Sequence, residues 1–202
     1  MKATYLRPFL LATFIILVDQ IIKTWVRTHM DFNQEIHFLG SHGMLRYTEN
    51  NGMAFGWEIG GEAGKLILTL FRIIAVGGIG YGLVYLVKHK YNQGLITCVA
   101  LIFAGALGNI IDSTFYGILY QHGQLFEGRV VDMFYFPLVS GTYPEWFPVL
   151  HGQSFEFFQP IFNLADSAIS VGVIIILLYQ KRYFKHEVPV MISSFNSEIV
   201  EE

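Results

Sequence analysis

Cysteine is almost missing from this chain. Cys98 stands alone among 202 residues, so no internal disulfide can form and no thiolate cluster can hold a metal. It lies inside a long apolar run and reads as a packed small residue. Charge is scarce too. Asp, Glu, Lys and Arg make up 14% of the chain, against about 25% in an average soluble domain. The net charge of -3 offers no basic surface to nucleic acid. The histidines show no HExxH spacing, the serines no Gly-x-Ser-x-Gly elbow, and there is neither a phosphate loop nor a dinucleotide fingerprint. The usual motifs of zinc hydrolases, serine hydrolases and nucleotide enzymes are therefore lacking, and no metal or cofactor is expected.

What the chain has instead is length without charge. Apolar residues are 53% of the total. They gather in four runs, at 8–26, 66–87, 95–116 and 161–179, each near the roughly 20 residues that cross a bilayer as a helix. The expected fold is an all-α membrane protein with four transmembrane helices and a small β-containing extracytoplasmic region. The first run carries Asp19 and Lys23 and is followed by no small-residue cleavage pattern, which predicts a retained anchor. Lys2 and Arg7, then Lys88 and Lys90, then Lys181, Arg182 and Lys185 mark one set of ends. The positive-inside rule places these ends, and both termini, in the cytoplasm. Lys23, Arg27, Lys65 and Arg72 near the other ends leave the bias incomplete. The connections 28–64 and 117–160 then face outward, with Trp57, Tyr143, Trp146 and Phe147 suited to the headgroup level. Residues 35–39 and 43–48 read as short strands, Asn50-Asn51-Gly52 as a turn, and 56–62 as a short surface helix. A membrane domain over 1–186 is followed by a flexible cytoplasmic tail, 187–202.

Ionisable groups at membrane depth are costly and are functional candidates for that reason. Asp19 and Lys23 share a face of the first helix at i,i+4 and suit an ion pair or a hold on a loop or substrate. Gly105, Gly108, Asn109 and Asp112 fall on roughly one face of the third helix, where small residues admit a close neighbour. Helix packing explains the glycines but not a buried carboxylate, which needs a partner. Asn163, Asp166, Ser167 and Ser170 form a polar stripe at the start of the fourth. Asn163 is placed to cap that helix by accepting from the N–H of Asp166. Asp132 stands between Val130-Val131 and Met133-Phe134, with Arg129 nearby as a simple ion-pair partner.

Asp112, Asp132 and Asp166 are thus candidate acids near one face of the membrane, and residue spacing alone leaves open which two pair. A pair matters chemically. Two neighbouring carboxylates cannot both ionise easily, so one keeps a proton while the other acts as base. They titrate as a unit.

Four blocks, in order, give the chain a specific resemblance to bacterial lipoprotein signal peptidase (signal peptidase II). They are Asp19-Gln20-x-x-Lys23, Asn50-x-Gly52-x-Ala54-Phe55, Gly105-Ala106-Leu107-Gly108-Asn109-x-x-Asp112, and Val130-Val131-Asp132 with Phe162-Asn163-x-Ala165-Asp166. The resemblance implies an aspartyl endopeptidase of the cytoplasmic membrane that cuts prolipoproteins before a diacylglyceryl-modified cysteine. It implies Asp132 and Asp166 as the catalytic pair. Asn109, Asn163 and Asp112 would support them, Asn50 and Gly52 would cradle substrate, and Asp19 with Lys23 would serve structure. It also implies globomycin-type cyclic peptides as blocking ligands at the dyad. A compact four-helix bundle is expected to be a monomer.

Two departures from that family stand out. Ser113 occupies the place of the Arg that usually follows the acid matching Asp112, with Arg129 as the candidate substitute. The stretches from Asp112 to Asp132 and from Asp132 to Asp166 are also long, and the second brings in Trp146, Phe147, Phe155, Phe157 and Phe158. The rival reading is a small proton-coupled transporter, since acids in helices also suit proton relays. Against it, the cytoplasmic halves of the runs are mostly apolar and no inverted repeat is present. A purely structural membrane subunit is a second rival, in which every acid would be paired with Lys or Arg.

Overall fold

The computed structural model describes residues 2–40, 42–50, 61–137, 139–146, 152–157 and 160–184. Gly52, Trp57, Phe147, Phe158, Lys185, most of the expected surface helix and the tail 187–202 lie outside these residues. The elements run α1 (Lys2–His29), β1 (Glu35–His37), β2 (Met44–Asn50), α2 (Gly61–Lys88) and α3 (Gln93–Leu119). They continue with β3 (Val130–Tyr135), β4 (Val139–Thr142), β5 (Ser154–Phe157), β6 (Ile161–Phe162), α4 (Leu164–Leu178) and the short α5 (Gln180–Tyr183).

The long helices wear their apolar side chains outward. On α1, Leu10, Phe14, Leu17, Ile21 and Trp25 are exposed at helical spacing, while Asp19 and Lys23 on the other face are buried. That inversion suits lipid as the surrounding solvent. Among the described residues, Tyr5–His29, Gly64–Lys88 and Gln93–Leu119 are long and apolar enough to cross a membrane. The fourth run is different. Its helix has 15 residues, about 22 Å at 1.5 Å per residue, and starts later than the expected 161. Ile161 and Phe162 instead pair with Tyr135 and Phe134 as β6, and Asn163 then caps the helix.

α3 is the central helix, touching α1, α2 and α4. Its contact with α4 is close enough to exclude a methyl group. A Cβ on Gly105 would stand 2.2 Å from the Ala165 carbonyl oxygen, and one on Gly172 would stand 2.7 Å from that of Cys98. Gly105→Ala is therefore expected to lower stability by about 1–3 kcal/mol, reversing the usual gain of roughly 0.5–1 kcal/mol for Gly→Ala inside a helix. Thermal unfolding in detergent checks the sign, and a variant as stable as the parent would contradict the packing.

Above the helices sits an antiparallel sheet in the order β1-β2-β3-β6, with β4 and β5 as a separate hairpin. The two expected strands are present with shifted ends. β1 stops at His37 and β2 runs on to Asn50, because Asn50 pairs with Val130 instead of turning. β3 was not evident from the sequence. Val130, Val131, Asp132 and Met133 are all buried, so the strand lacks an alternating signature. Val131 and Met133 join Val26, Met30, Tyr47 and Tyr116 in a core that binds the sheet to α1 and α3. This seats Asp132, on the sheet, over the helix ends that carry the other candidate acids.

Candidate active site

Lys23 organises the helical half of the site. It is fully buried, and its Nζ lies 2.8 Å from both Asp19 Oδ2 and Asp112 Oδ2. It also donates to Asn109 Oδ1 at 2.9 Å. A buried ammonium with two carboxylates and an amide has its donors used, which offsets the cost of removing it from water. Asp19 does more than pair. Its Oδ1 accepts from the backbone N–H of Ala165 at 3.0 Å, satisfying one of the free donors at the start of α4 and fixing that helix to α1. Asp112 accepts from Gln20 Nε2 at 2.8 Å and from the Val131 N–H at 3.3 Å, tying α3 to α1 and to β3.

The other two acids are linked through amides. Asn163 forms a capping box on α4. Its Oδ1 accepts from the Asp166 N–H at 2.9 Å, and its own N–H donates to Asp166 Oδ2 at 3.2 Å. Asn163 Nδ2 faces Asp132 Oδ1 at 2.8 Å and Asn109 Oδ1 at 3.1 Å. Asn109 Nδ2 donates to Asp166 Oδ1 at 2.8 Å. The orientation of Asn109 follows from its neighbours. Lys23 has only donors, so the amide oxygen turns to it and the amide nitrogen to Asp166. Asn50 completes the set, donating to Asp132 Oδ2 at 3.3 Å.

Asp132 is 5% exposed. Burial, and then the negative charge of Asp166, push its carboxyl up to about 7. Asp166, at the first turn of α4, is half-buried. One buried acid that holds its proton and an adjacent acid that accepts N–H donors make an acid–base pair able to activate water and protonate a leaving group.

Of the sequence candidates, Asp19, Lys23, Asn50, Asn109, Asp112, Asp132, Asn163 and Asp166 come together in one network, while Gly52 lies outside the described residues. Arg129 does not take the part expected of it. It is 56% exposed, and its ion pair among the described residues is with Glu49 at 3.6 Å, not with Asp132. At Ser113, where the family usually has an arginine, the chain packs closely instead. Ser113 is buried, its hydroxyl donates to the Asn109 carbonyl, and its own carbonyl accepts from the Gly128 N–H. A Cβ at Gly128 would stand 1.9 Å from the Asp112 carbonyl oxygen, so the loop before β3 packs directly on α3 there.

Two contributors escaped the sequence reading. Gln20 bridges Asp112 and the Gly108 carbonyl and accepts from the Tyr116 hydroxyl. Its adjacency to Asp19 was visible, but its direction was not. Arg72 on α2 lies where the charge of Asp166 acts on it. A lone arginine inside an apolar run was the available signal.

Comparison with known proteins places this network in context. A family model described as signal peptidase (SPase) II matches residues 11–182. The lipoprotein signal peptidase of Porphyromonas gingivalis is 45% identical over 188 residues, covering 85% of this chain and 81% of its own length. That of Amoebophilus asiaticus is 38% identical over 177 residues, covering 83% and 75%. A solved bacterial membrane enzyme, obtained by the in meso method at 2.3 Å resolution, superposes with a TM-score of 0.61 at 28% identity, covering 90% of this chain and 92% of that one.

Proposed function

The chain belongs to the signal peptidase II family, and from that premise we propose that Asp132 and Asp166 are its catalytic pair. As a member it is an aspartic-type endopeptidase, a multi-pass membrane protein that removes signal peptides from prolipoproteins. The transporter and structural-subunit readings fall with that membership. The observation that carries the assignment is the division of labour among the acids. Asp19 and Asp112 are both spent on Lys23, whereas Asp132 and Asp166 are joined by the Asn109–Asn163 amides.

In the proposed reaction, the ionised member takes a proton from water as the oxygen attacks the scissile carbonyl. The protonated member donates to the carbonyl oxygen. Collapse of the tetrahedral intermediate then passes a proton to the leaving amine. Asn109 and Asn163 hold the two carboxyls, Asn50 holds Asp132 from the sheet side, and the family resemblance gives Gly52 a part in cradling the substrate. Lys23, Asp19 and Asp112 keep the helices in register beneath them.

The proposed frame is a four-span domain over 1–186, with α4 as the short fourth span. Both termini are cytoplasmic and the pair sits near the outer face. The acids near the α3 and α4 ends lie toward the sheet, and the basic clusters at Lys88, Lys90, Lys181 and Arg182 mark the opposite ends. A prolipoprotein would keep its acyl chains in the bilayer, saving about 0.8 kcal/mol per CH₂ of transfer to water. Cleavage falls before the diacylglyceryl-modified cysteine. A globomycin-type cyclic peptide would block the same site, and the chain acts as a monomer.

The test uses purified protein in detergent with a synthetic diacylglyceryl-modified signal peptide. Product masses are expected to place the cut immediately before the modified cysteine. The rate is expected to fall as pH rises through about 7, because Asp132 loses the proton that the pair must hold. A cut elsewhere, or a rate flat from pH 6 to about 9, would count against the dyad.

A further inference from the structure

The two faces of β2 have different tasks. Thr48 pairs with Asp132, and Asn50, two residues on, donates to Asp132 Oδ2, so this face serves the reacting carboxyl. Glu49 points the other way, beside Val131 and into the core beneath the sheet. A carboxylate there, with a side chain 10% exposed, has to be matched. Arg27, near the outer end of α1, meets its Oε1 at 2.5 Å with a side chain 5% exposed. The Tyr47 hydroxyl donates to the same oxygen at 2.5 Å. Arg129 approaches Oε2 at 3.6 Å. The Arg27 guanidinium also lies over the ring of Tyr120, the C-cap of α3, at 4.2 Å and near that of Tyr116, on α3, at 6.0 Å. One side chain on β2 is thus clamped to α1 and to the segment leading into β3, and through Arg27 to α3.

We infer that Glu49 is a positioning residue of the reaction: through its buried contact with Arg27 and Tyr47 it sets the height of the β2 end over the helices, and so holds Asn50 on Asp132. The inference rests on the reading of Asp132 and Asp166 as the dyad. The mechanical logic is simple. Asp132 belongs to the sheet and Asp166 to a helix, so their separation depends on how the sheet is seated. The core under it is mostly apolar, and apolar contacts slide more readily than a charge-assisted hydrogen bond. Glu49 supplies the directional contact next to Asn50.

Among the described residues, the charged and titratable groups around the two centres are these. Glu49 faces Arg27 from α1, Tyr47 from its own strand, and Arg129, and Arg27 in turn faces Tyr116 on α3 and Tyr120 at the α3 C-cap. The dyad faces Lys23 from α1 and Arg72 from α2. Donation from Asn50 favours the ionised form of Asp132, so loosening it raises the proton affinity of the pair.

The test compares Glu49→Gln and Tyr47→Phe with wild type and Asp132→Asn in the lipopeptide assay, with rates expressed per folded protein. Glu49→Gln is expected to lower kcat about 10- to 100-fold, as a small misplacement near reacting groups does, while KM stays within about twofold. Tyr47→Phe leaves the charge of Glu49 in place, so it reports geometry alone and decides the matter if Glu49→Gln does not fold. It is expected to lower kcat about 5-fold, the equivalent of one lost hydrogen bond, and to move the alkaline limb of the pH profile upward. A role in stability alone predicts unchanged kcat per folded protein and an unmoved limb in Tyr47→Phe, and that result overturns the inference while Asp132→Asn remains inactive. If Asp132→Asn still cleaves, the dyad reading falls and the inference with it.

Discussion

Asp132→Asn and Asp166→Asn are each expected to lower cleavage about 10³-fold or more, within the range by which a positioned acid or base contributes, while the protein still inserts and folds. Asparagine keeps the shape of the side chain and an acceptor oxygen, but it cannot exchange a proton. The two variants should be alike in activity because the pair acts as a unit. They differ in what they do to stability. Asp132 holds its proton up to about 7 in the folded protein, well above the ordinary carboxyl range. The folded state therefore binds more protons than the unfolded state between those values, and Asp132 costs stability progressively as pH rises through that window. Asp132→Asn removes the titration. At pH 8 it should unfold at the same temperature as wild type or higher. Mass spectrometry of the products and thermal unfolding at two pH values check both statements. Near-normal cleavage by both variants would sink the dyad.

Lys23→Met is expected to be the most destabilising of the single changes considered, by about 3–5 kcal/mol, the cost of stranding buried charge. The substitution preserves the bulk of the stem but leaves Asp19 and Asp112 without their shared cation. Both are buried, so their charges are left unmatched away from water. The damage reaches the site by two routes. Asn109 loses the donor that fixes its amide, and Asp19 loosens its hold on the Ala165 N–H at the start of α4. Cleavage should fall along with stability. Adding Asp19→Asn and Asp112→Asn to Lys23→Met removes all three charges together, and that triple variant should be more stable than Lys23→Met alone. Unfolding in detergent distinguishes the cases. If the triple variant were the less stable, the carboxylates would be holding the helices by contacts other than those to Lys23.

Much of the architecture could be read directly. The long apolar runs, the outward apolar face of α1, the i,i+4 pairing of Asp19 with Lys23 and the Asn163 cap are all set by residues within one or two helical turns of each other. Their order also carried the family resemblance. What local pattern could not give was the choice among three acids. Asp112 looked as suitable as the others until Lys23 claimed it, and Lys23 comes from a helix 89 positions earlier in the chain. Asp132 looked isolated because β3 is buried along most of its length and shows no alternation. Arg129 was the obvious partner for Asp132 by proximity, yet it turns to Glu49, on the strand that pairs with β3 just after it.

By itself the sequence determined which runs are long and apolar enough to cross a membrane, that Asn163 caps α4, and which polar groups would have to find partners, because hydropathy and helical period act over short distances. Only the tertiary structure decided which partners they found. Asn50 reaches Asp132 across 82 positions, and Asn109 reaches Asp166 across 57. Such contacts exist only once the sheet is seated on the helix ends, and a buried charge accepts whichever complement that seating brings within hydrogen-bond reach.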